Sequence, residues 1–164
     1  MATSESPTLL RVVAQRVSAG AVRWDEAGSE RVATIGHGYV LLVGAASDDD
    51  ENNVRRLADK VIDLRVFADE AGRMNLSLVD VHGSALIVSQ FTLFADMSRG
   101  RRPSLLKAGD PGRAEQLYEV FVQRFRERGI ETSTGSFGAD MRVSIENEGP
   151  VTLVVSTDEW STRV

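Results

Sequence analysis

The chain has 164 residues, of which 42% are hydrophobic and 26% are charged, and it contains no cysteine. This length and composition are typical of one globular domain and exclude a disordered, collagen-like or coiled-coil protein. The lack of cysteine excludes disulfides, thiolate metal sites and cysteine nucleophiles. Two histidines, His37 and His82, are too few for a multi-histidine metal site, and a net charge of −5 weighs against a broad nucleic-acid surface.

The hydropathy pattern predicts neither a membrane span nor a secretion signal. No apolar run approaches the roughly 18 residues that a membrane helix requires. Residues 1–7 carry no basic segment and no long apolar segment. We therefore predict a cytoplasmic protein that does not contact a membrane.

Segments rich in valine and leucine predict four strands in the first 45 residues. They are Leu9–Val17, Ala21–Trp24, Arg31–Ile35 and Tyr39–Val43. A turn at Gly28 makes the second and third of these a hairpin. The fourth is a continuous apolar run of the kind that is buried on both faces of a sheet.

Two helices are predicted from their ends. The acidic run Asp48–Glu51 predicts the start of the first, because carboxylates cap the first turn and complement its positive end. Its apolar positions follow at near-helical spacing, and they are Val54, Leu57, Val61, Ile62 and Leu64. Asp110 and Pro111 predict the start of the second helix, and Gly129 predicts its end.

The second half of the chain predicts further strands. They are Met74–Val81, Ala85–Phe94, Ile130–Thr134, Met141–Glu146 and Val151–Ser156. In all, about eight strands occur in hairpin-like groups around two isolated helices. We therefore predict an α+β fold with a mixed, curved or barrel-like sheet rather than a doubly wound one.

A polar group follows the apolar strand segment Ala85–Val88 and consists of Ser89, Gln90 and Thr92 around Phe91. In a strand, Gln90 and Thr92 share one face while Ser89 and Phe91 share the other. This pattern predicts a pocket mouth lined by hydroxyl, amide and aromatic groups. The alternative is an ordinary strand end whose polar groups are hydrogen-bonded.

A basic segment comes next, with no acidic residue inside it. Its four cations fall within nine residues, and they are Arg99, Arg101, Arg102 and Lys107. Such a patch suits a phosphate-bearing partner in spite of the negative net charge. A solvated loop is the alternative interpretation.

Other catalytic patterns are weaker. A triad of Ser89, His82 and an aspartate lacks the Gly-x-Ser-x-Gly elbow. The segment Gly36–Gly38 lacks the spacing of a phosphate-binding loop. Taken alone, Asn147–Thr152 is a turn between two strands.

Seven segments, in order between Leu10 and Val155, resemble the D-aminoacyl-tRNA deacylases. They are Gln15–Val17, Lys60–Phe67, Met74–Ser77, Val88–Leu93, Arg99–Ser104, Phe137–Met141 and Asn147–Thr152. The chain departs from the family pattern where Leu105-Leu106 replaces a usual aromatic residue and where Glu148 replaces a frequent aspartate. Residues 1–9 look like an N-terminal extension of a single domain formed by residues 10–164.

The resemblance implies a proofreading hydrolase that acts without cofactor or metal. It would cleave the ester between a D-amino acid and the 3′-terminal adenosine of tRNA, and also glycyl-tRNA mischarged on tRNA(Ala). The implied catalytic floor is Ser89, Gln90, Phe91 and Thr92. With tRNA as the substrate, the basic segment predicts tRNA-binding residues at Arg99, Arg101, Arg102 and Lys107.

The resemblance also implies a homodimer whose subunits complete each other's sites. Gly149 and Pro150 of one subunit, joined by a cis peptide bond, would reach the other subunit's site and exclude L-amino acids. The implied supporting residues are Arg16, Met141, Asn147 and Thr152.

Two mechanisms and two further classes of protein stay open. In the first mechanism the 2′-hydroxyl of the adenosine assists hydrolysis near the N–H of Phe91, and no ionisable protein base is required. In the second, Thr92 is a covalent nucleophile, although neither histidine is near it in sequence to act as a base. The other classes are a non-catalytic RNA-binding module that uses the loop from Arg99 to Lys107, and a purely structural dimer.

Overall fold

The structure is a computed structural model that describes residues 10–46 and 50–157. The proposed extension of residues 1–9, and Asp48 and Asp49 of the predicted helix start, lie outside the described residues. The described residues form eight strands and two α-helices. In chain order these are β1 (Leu10–Glu26), β2 (Ser29–Ile35), β3 (Gly38–Ala45), α1 (Glu51–Asp63), β4 (Phe67–Ala68), β5 (Met74–Leu76), β6 (Ser84–Ser89), α2 (Pro111–Glu127), β7 (Thr132–Thr134) and β8 (Arg142–Ser156). Short 3₁₀ turns follow β6, at Phe91–Phe94 and Leu106–Ala108.

Six of the strands form one mixed sheet in the order β2-β1-β3-β6-β7, with β8 along β1. β1 is antiparallel to β2, β3 and β8, whereas β3, β6 and β7 run parallel. The outer strands β2 and β7 meet, because the Ser133 hydroxyl donates to the Thr34 carbonyl over 3.4 Å. The sheet is therefore nearly closed, and the predicted α+β fold with a barrel-like mixed sheet is confirmed.

The central strands are buried on both faces, as the apolar run at Tyr39–Val43 predicts. Tyr39, Leu41 and Ile87 belong to the larger apolar cluster, which the two helices cover. Val40 and Leu86 belong to a smaller cluster on the other face. Each large apolar side chain so buried contributes roughly 1.5–3 kcal/mol to folding.

The predicted helix ends are confirmed by their hydrogen bonds. The Asp50 carboxylate accepts from the Asn53 N–H at 2.8 Å, and the Asp110 carboxylate accepts from the Arg113 N–H at 3.1 Å. Pro111 is the first residue of α2, and Gly129 follows the helix in the left-handed region with a φ of 76°. Neither helix combines the length and the apolar character that crossing a membrane needs within the described residues.

Four strand boundaries differ from the predictions. The predicted strands Leu9–Val17 and Ala21–Trp24 are, from Leu10 onward, one continuous strand, β1. The predicted strands Met141–Glu146 and Val151–Ser156 are likewise one strand, β8, with an irregularity rather than a full turn between them. In both cases pairing with a long neighbouring strand overrides the local break.

Two predicted strands are too long. Met74–Val81 ends as a strand at Leu76, because Ser77 and Asp80 bond to each other's backbone N–H groups at 2.9 and 3.2 Å and form a turn. Ala85–Phe94 ends as a strand at Ser89, and the chain then enters a 3₁₀ turn. The prediction that Gln90 and Thr92 share one strand face is therefore wrong.

An ion-pair cluster joins the two helices. The Arg124 guanidinium contacts the Asp59 carboxylate at 2.8 Å, and Arg128 contacts the same carboxylate at 3.0 Å. Arg128 also contacts Asp63 at 2.6 Å. The hydrogen bond from Arg124 is the main reason that the pKa of Asp59 is lowered, and the bond from Arg128 lowers it further against the effect of burial.

We expect Asp59→Asn to lower the Tm at pH 7 by a few degrees. Ion pairs that remain partly exposed are screened by solvent and contribute up to about 1 kcal/mol, which corresponds to roughly 2–4 °C in a chain of this size. Because folding lowers the pKa, this stabilisation is complete above the unfolded-state value of about 3.9 and is lost as the pH falls through the folded-state value. Thermal unfolding between pH 7 and pH 2.5 should give a flatter acid limb for the variant. The control Asp25→Asn, at an exposed position of β1, should follow the wild-type curve.

Candidate active site

A cleft of about 350 Å³ opens where β3 and β6 end beside the start of α2. The strand ends contribute Val43 and Ser89, and α2 contributes Ala114 and Tyr118. Phe137 also lines the cleft, and its ring centroid lies 5.9 Å from that of Tyr118. The cleft is therefore mostly apolar, with polar groups concentrated where β6 ends.

The floor of this cleft is the turn that leaves β6. The Gln90 N–H donates to the Val43 carbonyl at 2.8 Å, which is where the pairing with β3 stops. The Gln90 carbonyl then accepts from the Leu93 N–H at 3.3 Å and begins the 3₁₀ turn. Ser89, Gln90 and Phe91 line the cleft, and Phe91 is 55% exposed at its mouth. Thr92 lies just outside the lining, with its hydroxyl accepting a hydrogen bond from the Gln90 side-chain amide.

Two residues that the sequence interpretation missed hold this turn in place. A Cβ on Gly44 would lie 2.8 Å from the Gln90 carbonyl oxygen and 3.2 Å from the Leu93 Cβ, so the close approach requires glycine. On the other side, the Arg11 guanidinium donates to the Leu93 carbonyl at 2.7 Å and lies 4.9 Å from the centroid of the Phe94 ring. A glycine inside an otherwise apolar strand is the sequence signal that points to such an approach.

The histidines lie at the opposite end of β6 from the floor. The His37 carbonyl accepts from the Ser84 N–H at 2.9 Å, and His82 lies two residues before the start of the strand. Ser89 lies at the other end of β6, five residues beyond Ser84, which is roughly 16 Å. The triad of Ser89, His82 and an aspartate is therefore wrong. Among residues 10–46 and 50–157, no group of three acidic, cysteine or histidine side chains could hold a metal ion.

The segment 147–152, called here the Gly-Pro loop, projects from β8 beside the irregular pairing with β1 between Gln15 and Val17. The Asn147 side chain closes it, because its oxygen accepts from the Val151 N–H at 3.1 Å and its nitrogen donates to the Thr152 hydroxyl at 2.8 Å. The Gly149-Pro150 peptide bond is cis, the conformation that the resemblance implies. Both residues are exposed.

Arg16 connects the Gly-Pro loop to another part of the chain. Its Nε donates to the Glu148 carbonyl at 3.2 Å, and its Nη1 donates to the Val66 carbonyl at 2.7 Å. A Cβ on Gly149 would lie 3.0 Å from Nη2. The guanidinium therefore packs directly beneath the loop.

The Gly-Pro loop and the cleft of one chain are far apart. None of residues 147–152, all of which the structure describes, lines the cleft. Ser89 of β6 is at the same level as Val12 of β1, because both pair with Val43 of β3. The Gly-Pro loop leaves β8 at the level of Arg16, and β8 lies three strands away from β6. These offsets are roughly 13 Å along the strands and 14 Å across them. Met141 also lies outside the lining and packs against the smaller apolar cluster.

The basic segment forms a closed loop beside the cleft. Asp96 and Ser104 exchange two backbone hydrogen bonds at 2.8 and 2.9 Å, so residues 96–104 are held at their base. Lys107 pairs with Asp96 at 3.6 Å, which partly neutralises one of the four predicted cations. The exposed arginines are Arg99, Arg101 and Arg102. Because Leu105 follows the loop directly and lines the cleft, these arginines stand next to its entrance.

Comparison with known proteins identifies the family. A sequence model described as D-Tyr-tRNA(Tyr) deacylase matches residues 13–156. A D-aminoacyl-tRNA deacylase of Thermoanaerobacter pseudethanolicus is 48% identical over 148 residues, which cover 90% of this chain and 97% of that protein. One from Bacillus pumilus is 49% identical over 150 residues and covers 92% and 100%. The chain therefore belongs to the D-Tyr-tRNA(Tyr) deacylase family.

Solved structures show the same fold. A c-Myc DNA unwinding element binding protein superposes with a TM-score of 0.79 at 34% identity, covering 88% of this chain and 97% of that one. A probable eukaryotic D-amino acid tRNA deacylase superposes with a TM-score of 0.78, covering 90% and 99%. The second is only 18% identical and supports the fold alone.

Proposed function

We propose that the protein hydrolyses the ester that joins a D-amino acid to the 3′-terminal adenosine of tRNA, releasing both. Relatives that match nearly their whole length to this chain are named D-aminoacyl-tRNA deacylases. The observation that carries the proposal is the cleft floor formed by Ser89, Gln90 and Phe91, where the resemblance places the reacting ester. A tRNA substrate implies the cytoplasm as the location.

The shape of the cleft suits the end of a charged tRNA. Its apolar part, with the Phe137 and Tyr118 rings, has the size and the stacking surface for a terminal adenine base. The arginines of the 96–104 loop stand where the preceding phosphates would arrive. The ester would then lie over the turn at Gln90 and Phe91.

The cleft offers almost no acid–base chemistry of its own. Among its described lining residues, Tyr118 is the one ionisable group. Its hydroxyl donates to the Ile87 carbonyl at 2.7 Å, and burial raises its pKa further from neutrality. The lack of a general base among the described lining residues supports a mechanism in which the 2′-hydroxyl of the substrate assists the attacking water. Water attacks the carbonyl carbon, the bond to the 3′-oxygen breaks, and that oxygen takes up a proton.

The protein's contribution is then to position the ester and to stabilise its oxyanion. The first N–H groups of a helical turn have no acceptor within that turn, and Phe91 and Thr92 begin the 3₁₀ turn. These N–H groups are suited to bind the developing negative charge. The covalent alternative is weaker, because the Thr92 hydroxyl bonds to an amide nitrogen, which cannot accept its proton.

A comparison of D-tyrosyl-tRNA with L-tyrosyl-tRNA tests the proposed activity directly. Ester loss should be fast with the D substrate and close to the spontaneous rate with the L substrate. A protein that binds both tRNAs and cleaves neither would instead be the non-catalytic RNA-binding module. Glycyl-tRNA(Ala) should also be cleaved, because glycine has no L side chain for the Gly-Pro loop to exclude.

The Gly-Pro loop acts in this proposal on the cleft of a second subunit. Its distance from the cleft of its own chain, together with its exposure, supports supply in trans. The loop would occupy the space that an L side chain requires while a D side chain points away, which gives selectivity by rejection. Met141 would approach the cleft in the same dimer.

We accordingly expect a C2 homodimer in solution. Sedimentation equilibrium at micromolar concentration should give about twice the chain mass of 17.9 kDa. A monomer that retains full activity and full selectivity at that concentration would contradict supply in trans.

Binding of tRNA should weaken steeply with added salt, because arginines that contact phosphates release counterions. The double change Arg101→Glu and Arg102→Glu should raise KM about tenfold or more and change kcat less than twofold. The matched control is Arg55→Glu with Arg56→Glu, which makes the same charge change on an exposed face of α1. Equal effects of the two double variants on KM would remove the 96–104 loop from the interface.

A further inference from the structure

A contact with Val66 holds Arg16 from the side opposite the Gly-Pro loop. Arg16 donates to the Val66 carbonyl at 2.7 Å and to the Glu148 carbonyl at 3.2 Å. The shorter bond is the one to Val66, and it lies in a half-buried environment, whereas the bond to the loop is exposed. The Val66 carbonyl is therefore the closer and the better shielded of the two acceptors that hold the guanidinium under the loop.

The backbone at Val66 is not anchored by the main sheet. The next residue begins β4, which pairs with β5 alone in a separate two-stranded sheet. The hydrogen bonds of that small sheet fix β4 relative to β5 and leave its distance from β1 undetermined. Some other contact must set the distance between the Val66 carbonyl and Arg16.

The Phe67 side chain supplies that contact. It is 1% exposed, and its ring centroid lies 5.0 Å from that of Tyr39 and 5.2 Å from that of His37. Tyr39 is fully buried in β3 and is the residue paired with Arg16 in the β1–β3 register. The Phe67 ring thus packs β4 against the strand that neighbours Arg16, one residue from the carbonyl that Arg16 contacts.

We propose that Phe67 is a positioning residue for substrate selectivity, because its packing against Tyr39 places the Val66 carbonyl that holds Arg16 under the Gly-Pro loop. The inference rests on the proposed function of that loop as the element that excludes L-amino acids. Rejection by a steric clash depends on distance, and a displacement of about 1 Å can change a rate by roughly a hundredfold. A smaller side chain at Phe67 therefore admits the L substrate before it impairs the D reaction.

The test is the ratio of kcat/KM for D-tyrosyl-tRNA to that for L-tyrosyl-tRNA in Phe67→Leu. The matched control is Phe125→Leu, which alters a fully buried phenylalanine of α2 that packs on Phe121. Both variants lose stability through the same change of volume. We expect the ratio to fall tenfold or more in Phe67→Leu and to stay within twofold of wild type in Phe125→Leu.

A double variant tests the route through Arg16. Arg16→Lys keeps the charge but loses the planar fork that spans two carbonyls, so it should lower the same ratio. Adding Phe67→Leu to Arg16→Lys should lower it no further, because both changes break one contact. Full additivity of the two effects would show that Phe67 does not act through Arg16 and would overturn the proposal.

If Phe67→Leu does not fold, a second variant still tests the proposal. His37 is exposed and meets the Phe67 ring edge-on, so His37→Ala should lower the ratio several-fold while His82→Ala leaves it unchanged. If folded Phe67→Leu, or His37→Ala in its place, keeps the wild-type ratio, the role of Phe67 is overturned while the proposed function stands. A wild-type protein that does not distinguish D from L substrate would overturn the proposed function as well.

Discussion

Alanine in place of Gly44 is expected to reduce kcat/KM for D-aminoacyl-tRNA about a hundredfold, the scale of loss that a 1 Å misplacement of reacting groups produces. The added Cβ would lie 2.8 Å from the backbone oxygen of Gln90 and 3.0 Å from the Phe94 ring. Backbone cannot yield as the end of a flexible side chain does, so the turn that carries the floor must move. Most of the loss should appear in kcat, because the apolar part of the cleft is left intact.

Gly36→Ala is the matched control for this substitution. A Cβ on Gly36 meets no atom within 4 Å, so this variant should keep wild-type kinetics. Steady-state hydrolysis of D-tyrosyl-tRNA, with circular dichroism to show that both variants are folded, decides the outcome. A folded Gly44→Ala protein with normal kcat would mean that the floor turn does not position the ester.

A tRNA that ends in 2′-deoxyadenosine is expected to be cleaved at least about a hundredfold more slowly than normal tRNA, the lower range of general-base contributions. Thr92→Ala, in contrast, should reduce turnover only several-fold. The reason is that Tyr118 is the one ionisable side chain among the described residues that line the cleft. Burial raises the pKa of its phenol, so it does not act as a base near neutral pH. The base must then come from the substrate.

Competition binding completes that experiment, because the deoxy substrate should bind as tightly as the normal one while reacting slowly. The opposite pattern, in which Thr92→Ala is inactive and the deoxy substrate reacts normally, would favour the covalent mechanism. Trapping an acyl group on Thr92 would establish it.

The sequence predicts best those elements whose signals are local. Asp110, Pro111 and Gly129 mark both ends of α2, because capping involves only neighbouring residues. The apolar run at Tyr39–Val43 predicts a strand buried on both faces, since it is short, rich in valine and bounded by glycines. The segments that resemble the family indicate the floor and the Gly-Pro loop for the same reason: each lies within a few consecutive residues.

Features that depend on contacts between distant parts of the chain could not be predicted from the sequence. Nothing near Ser89 shows that its strand ends there, because the end is set by Gly44 and Arg11 from two other strands. The pairing of Lys107 with Asp96 follows from the closure of the loop by the bridge between Asp96 and Ser104. The merging of two predicted strands into β8 follows from β1, which pairs along both halves.

The 17-residue strand β1 carries Arg11, which braces the floor turn, and Arg16, which braces the Gly-Pro loop. In the proposed dimer these two arginines support different active sites. Arg11 holds the floor of one site, and Arg16 holds the Gly-Pro loop that reaches the other. The five-residue step from Arg11 to Arg16 along the strand, roughly 17 Å, thus fixes the spacing between the supports of two catalytic centres. Insertion or deletion of one residue between the arginines would reverse the face on which one of them lies. Such a change would put both centres out of register at once, so the length of this stretch is constrained by two sites rather than by one.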